Sequence, residues 1–138
     1  RDGDVEGALA TLDGLLAEDP DHVTVQGLIA AAHARAGRPE AAVELLRAAA
    51  ERQPRHYRIA LNLSINLLAS GRPEEALAEA RRAVALHGGH AGARFQLGRA
   101  AQALGDTEQA RAAYLAALRY GYPAERVTAR LEALEGSR

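Results

Sequence analysis

Gly71-Arg72-Pro73-Glu74-Glu75-Ala76 has a counterpart 34 residues earlier in Gly37-Arg38-Pro39-Glu40-Ala41-Ala42, and another 34 residues later in Gly105-Asp106-Thr107-Glu108-Gln109-Ala110. Gly3-Asp4-Val5-Glu6-Gly7-Ala8 is a fourth copy in the same register. A period of this length marks stacked two-helix units, each of which buries its apolar face only against its neighbours. Each glycine stands between two amphipathic stretches, so it is expected to end a helix in the left-handed conformation that penalises a β-carbon. The next helix then begins two residues on. Pro39 and Pro73 suit its first turn, where a fixed φ helps and no donor is lost, and Glu40, Glu74 and Glu108 favour the positive end of its dipole. Pro20 and Pro54, again 34 apart, stop the second helix of the unit, and Gly88-Gly89 and Gly121-Tyr122-Pro123 take that place later in the chain.

Between these breakers, apolar or small residues fall at helical spacing. In the first helices they are Ile29, Ala30 and His33; Ala60, Leu63 and Leu67; Leu97, Gly98 and Ala101. In the second helices they are Ala42, Leu46 and Ala49; Ala76, Ala80 and Ala83; Ala110, Tyr114 and Ala117. The spacing predicts helices over 4–18, 22–35, 39–52, 56–69, 73–86, 90–103, 107–119 and 123–135. Composition agrees: 33 of the 138 residues are alanine and five are aromatic, a mixture suited to closely packed helices.

The pattern closely resembles the tetratricopeptide repeat (TPR) family, on Leu97-Gly98, Gly105-Asp106, Ala110, Tyr114 and Ala117 most fully. Residues 56–88 match through Leu63, Ser64, Gly71, Ala76, Ala83 and Leu86, and residues 22–54 through Ile29, Ala30, Gly37, Ala42, Ala49 and Pro54. Gln26, Ala60 and Arg94 stand where the family motif has tryptophan, and Leu67 and Ala101 replace its tyrosine. The resemblance implies an all-α, right-handed superhelical solenoid of antiparallel helix pairs. The expected division of a single domain over 1–138 is a half repeat at 3–20, repeats at 22–54, 56–88 and 90–122, and a capping helix at 123–135. Without a methionine anywhere, residue 1 is expected to be an internal position of a longer protein.

Charge excludes some functions. A net charge of −1 gives no overall positive field of the kind that draws a domain to nucleic acid or anionic lipid. The charge is uneven: residues 1–21 carry one arginine against seven acids, and residues 22–138 carry 16 arginines against 11 acids. All 17 basic residues are arginine, a bias that suggests a GC-rich bacterial genome. Five aromatic residues are too few to stack a run of bases. No apolar run reaches the length of a membrane span, and the absence of cysteine fits a reducing or an oxidising compartment, cytoplasmic or periplasmic.

Candidates for chemistry each have a simpler reading. Serine occurs at 64, 70 and 137, never in a Gly-x-Ser-x-Gly elbow, and Ser64 falls at a close-packing position. His87-Gly88-Gly89-His90 brings two imidazoles together but lacks the further ligands of a structural zinc site. His33 is expected to be a hydrogen-bonded core histidine. Glu74-Glu75 lies in a first turn and favours the helix dipole. The sequence therefore predicts no catalytic residue, no metal and no cofactor.

The resemblance further implies that the first helices line a concave face, through Thr24, Gly27, Leu28, Ala31, Ala34 and Arg35 in one repeat, and Arg58, Leu61, Asn62, Ile65, Leu68 and Ala69 in the next. In the third repeat the lining is Gly92, Phe95, Gln96, Arg99, Gln102 and Ala103. Leu61, Ile65, Leu68 and Phe95 are large apolar residues at positions that core packing does not require, so they form the expected centre of a partner site. Arg58, Asn62, Gln96 and Arg99 form its polar surround. A carboxylate clamp is not expected, because Gly27, Ala31, Gly92 and Gln96 hold its positions beside Asn62. The expected function is a non-catalytic protein-interaction scaffold in a larger bacterial protein. The alternative is a substrate- or partner-positioning segment of an enzyme such as a glycosyltransferase or sulfotransferase.

Overall fold

The computed structural model describes residues 2–136, which form eight helices and no strand. They are α1 (Asp2–Glu18), α2 (Val23–Arg35), α3 (Pro39–Arg52), α4 (Tyr57–Ala69), α5 (Pro73–Leu86), α6 (Ala91–Ala103), α7 (Thr107–Arg119) and α8 (Ala124–Gly136). Every expected helix is present, with ends within two residues of those read from the sequence. Each helix packs against the next in the chain, and α2 also touches α4 and α4 touches α6. The first helices of successive units thus form one continuous layer, and the second helices form the other. This is the solenoid that the period implies.

Four links share one hydrogen-bonding device. Gly37, Gly71, Gly105 and Gly121 have φ of 76°, 73°, 77° and 98°. After each, the following amide reaches back five residues: Arg38 to His33, Arg72 to Leu67, Asp106 to Ala101 and Tyr122 to Ala117, at 2.8 to 3.0 Å. This closes the last turn and satisfies carbonyls that a helix end leaves open. Gly3 departs from expectation. It lies inside α1 with no positive φ, having no helix before it among the described residues to terminate.

The other links, ahead of α2, α4 and α6, are braced by side chains that reach an equivalent carbonyl. Gln26 Nε2 donates to the Pro20 carbonyl (2.8 Å) and Arg94 Nε to that of Gly88 (2.7 Å). Both occupy the family's tryptophan position. In the middle unit that position is Ala60, too short to reach, and the Pro54 carbonyl accepts instead from Arg82 of α5.

The core runs between the two layers. Ala30, Ala42, Val43, Leu46, Leu63, Leu67 and Ala76 fill its centre, and Phe95, Ala101, Ala110, Tyr114, Ala117, Val127 and Leu134 fill its C-terminal part. Small residues set the helix spacing: a β-carbon on Gly98 would lie 2.6 Å from Cδ1 and Cε1 of Tyr114. His33 is only half-buried, and its Nδ1 has no hydrogen-bond partner, so the expected hydrogen-bonded core histidine is not formed.

Candidate partner-binding groove

The face presented by α2, α4 and α6 carries the residues expected to meet a partner, with unequal access. On α2, Leu28 is 51% exposed, and Thr24, Ala31, Ala34 and Arg35 are exposed with it. On α4, Ile65 is 39% exposed and Arg58 is exposed, while Leu61, Asn62 and Leu68 are half-buried. Leu61 leans on Ala60, Ala83 and Ala93, and Leu68 on the central core, so each offers only part of its side chain. Asn62 lies across Gly27, where a β-carbon would approach Asn62 Nδ2 to 2.9 Å. The two helices leave between them a depression lined by Val23, Thr24, Gly27, Leu28, Arg58 and Asn62. Leu28, not the middle repeat, is the most exposed apolar residue here, and its place at the same repeat position as Asn62 was the signal for it.

Phe95 and Gln96 do not have the access expected of them. Phe95 is 4% exposed. Its ring stacks on Tyr122 at 4.1 Å and 11° and lies 5.2 Å from that of Tyr114, while the guanidinium of Arg126 sits 5.5 Å from its centre. The cause is the link after α7. The links that end α3 and α5 lack a positive-φ glycine, whereas Gly121 turns the chain sharply and brings Tyr122 back over α6. Gln96, 2% exposed, is held inside by Ser64, whose Oγ accepts from Gln96 Nε2 at 3.1 Å. Arg99 keeps a half-buried place beside them and donates to Gln96 Oε1 at 3.2 Å.

The candidates for chemistry are engaged in structure. Ser64 is fully buried and donates to the Ala76 carbonyl at 2.7 Å, Ser70 Oγ donates to the Asn66 carbonyl, and Ser137 lies outside the described residues. The rings of His87 and His90 are 5.6 Å apart, with Tyr57 against both. His90 Nδ1 accepts from the Ala93 amide at 3.1 Å, as His22 Nδ1 does from Val25 at 3.3 Å. His22, His56 and His90 all stand at helix N-caps, 34 residues apart, a periodicity readable in the sequence but obscured by the nearer pairing of His87 with His90. Burial first, then the charges of His87 and Arg58, lowers the pKa of His90. Among the described residues no group of three or more His, Cys, Asp or Glu is placed to hold a metal. Glu74 lies in the first turn of α5, and Glu75 pairs with Arg72 and Arg47.

The family profile of the tetratricopeptide repeat matches residues 1–65 and again residues 67–131. The chain belongs to the tetratricopeptide repeat family. No curated protein matches it. Among solved TPR-like structures, MamA is 22% identical, with a TM-score of 0.81 over 99% of this chain and 80% of its own. TTC0263, a thermophilic TPR protein of Thermus thermophilus, is also 22% identical, with a TM-score of 0.81 over 96% of this chain and 73% of its own. The first TPR of Spaghetti (RPAP3), solved bound to the HSP90 peptide SRMEEVD, is 18% identical, with a TM-score of 0.76 over 83% of this chain and 91% of its own. At these identities the likeness is one of fold. No helix among the described residues is long and apolar enough to cross a membrane.

Proposed function

We propose that this TPR chain is a non-catalytic protein-interaction scaffold that holds a segment of a partner protein along the face of α2, α4 and α6. The observation that carries the reading is the exposure of Leu28 and Ile65 on that face, beside the half-buried Leu61 and Leu68. Exposed apolar side chains grouped on one face mark interaction sites. Arg58, Asn62 and Arg99 border the patch and supply the polar rim of an interface. The peptide held by the first TPR of Spaghetti (RPAP3) supports a peptide as the kind of ligand this fold accommodates.

The test is photo-crosslinking in cells of the native host, with benzoylphenylalanine placed at Ala31 or Ala69, both exposed on this face. Crosslinks from these sites that disappear in a Leu28→Ser, Ile65→Ser variant of unchanged melting temperature support the groove. Crosslinks that persist in that variant, or that arise only from a control site such as Ala48 on α3, place the interface elsewhere.

A further inference from the structure

The arginines of this chain are sorted by layer. Those in ion pairs, Arg38, Arg47, Arg52, Arg72 and Arg82, belong to α3 and α5 or their caps. Helices α2, α4 and α6 contain no aspartate or glutamate at all, and none of their arginines is ion-paired among the described residues. The layer of α2, α4 and α6 therefore carries no carboxylate.

At its C-terminal end the charges converge. Arg126 of α8 lies 5.5 Å from the ring centres of both Phe95 and Tyr122, and Arg130, one turn on, lies 6.0 Å from that of Phe95. Arg99, one turn beyond Phe95 on α6, is held by Gln96. Burial first, then Arg130 and Arg126, lowers the pKa of the Arg99 guanidinium, and the groups acting the other way are the phenols of Tyr114 and Tyr122. None of the three cations is ion-paired among the described residues, although α8 also carries Glu125, Glu132 and Glu135.

We propose that Arg99, Arg126 and Arg130 form an anion site at the α8 end of the concave face, and that it takes side-chain carboxylates of an acidic segment in the partner. Guanidinium groups pair with carboxylates through two parallel hydrogen bonds, and a carboxylate seated here relieves the repulsion that Arg130 and Arg126 exert on the half-buried Arg99. Arg126 and Arg130 are steadied over the aromatic rings, so little freedom is lost on binding. A nucleic acid is disfavoured, because Phe95 and Tyr122 spend their stacking faces on each other and the chain as a whole has a net charge of −1. The proposal rests on the groove reading only in taking this face as the one the partner occupies.

The experiment uses fluorescence anisotropy with acetylated, amidated twelve-residue peptides of alternating Glu and Leu or alternating Gln and Leu, and with a twelve-nucleotide oligothymidylate. The Glu peptide is expected to bind about tenfold more tightly than the Gln peptide. That advantage is expected to shrink with salt and to vanish in Arg126→Gln, Arg130→Gln. Arg126→Gln alone, an exposed position, serves if the double variant misfolds. Equal binding of the two peptides, failure of both, or an advantage untouched by the arginine changes overturns the anion site, as does oligothymidylate binding as tight as the Glu peptide. Failure of the groove is seen separately, as a Glu advantage that survives while Leu28→Ser, Ile65→Ser changes neither peptide's affinity.

Discussion

The side-chain amide of Gln96 on α6 donates to Ser64 Oγ on α4 across 3.1 Å, and the hydroxyl in turn donates to the Ala76 carbonyl of α5 at 2.7 Å. Both side chains are buried, and the relay ties three helices of adjacent repeats. Ser64→Ala strands the Gln96 amide without a partner inside the core, at a cost of about 1–3 kcal/mol. Ser64→Ala with Gln96→Leu removes both polar groups and is expected to cost less than the sum of the single changes. Urea denaturation of the four proteins of the cycle measures the difference; additivity within error would show that the two groups act independently.

Phe95→Ala is a core deletion. With the ring buried between Tyr122 and Tyr114, the change is expected to cost about 3–5 kcal/mol and to lower the melting temperature by many degrees. Ile65→Ser, on the open face of α4, is expected to stay within about 0.5 kcal/mol of the parent. A double change of Leu61 and Phe95, both placed by the sequence at the centre of the expected partner site, is expected to disrupt the core along with the groove, because Phe95 is buried. Thermal melts of the two single variants decide the point.

Gly98→Ala sets helix propensity against packing. Alanine favours a helix interior over glycine by about 1 kcal/mol. Here its β-carbon meets the Tyr114 ring at 2.6 Å, and the ring is pinned by the bond from its hydroxyl to Gln102 Oε1, also 2.6 Å. Overpacking of about 1–3 kcal/mol is expected to win. Gly98→Ala should lower the melting temperature, and Tyr114→Leu in the same chain should lessen the penalty of the alanine.

His90 gives the fold a pH dependence of known sign. Its folded pKa lies below the ordinary 6.5, through burial first and then through His87 and Arg58. As pH falls through that ordinary value, the unfolded chain takes up the proton before the folded one does. The contribution of His90 is therefore full above about pH 6.5, declines below it, and levels off under the folded pKa. Protonation also removes the acceptor that caps Ala93. His90→Asn keeps a capping side chain and cannot titrate. Its stability, compared with the parent by urea denaturation from pH 7.5 to 5, is expected to lack this part of the decline; parallel curves would remove His90 as the cause.

The helices were legible because Gly37, Gly71 and Gly105 must take a conformation that other residues resist, and Pro39 and Pro73 fix where the next helix starts. These are local demands, visible at one position at a time. Access to Phe95 is a different kind of fact. It depends on how Gly121 turns the chain and on which ring Tyr122 then meets, a relation between α6 and a link more than twenty residues away. Repeat position pointed to an open face, and the departure of one link from its three predecessors closed that face at one end. The exposure of Leu28 and Ile65 follows repeat position because no such departure intervenes on α2 and α4. The capping role of His22 and His90 was as periodic as the glycines, yet its 34-residue register hid behind a shorter histidine spacing.

The braced carbonyls of Pro20, Pro54 and Gly88 bear on how far one repeat is interchangeable with another. Two of them are held by a side chain of the helix that follows directly, Gln26 or Arg94, and the third by Arg82, a helix further on. Transplanting α4 into the place of α6 would carry Ala60 to a site where no arginine stands at the position of Arg82, since the residue 34 beyond Arg82 is Ala116. The portable module in the middle of this solenoid is therefore a hairpin, α4 with α5, and not a helix. A graft that respects that boundary keeps its link anchored, whereas one that cuts between the two helices leaves a carbonyl to solvent at the joint.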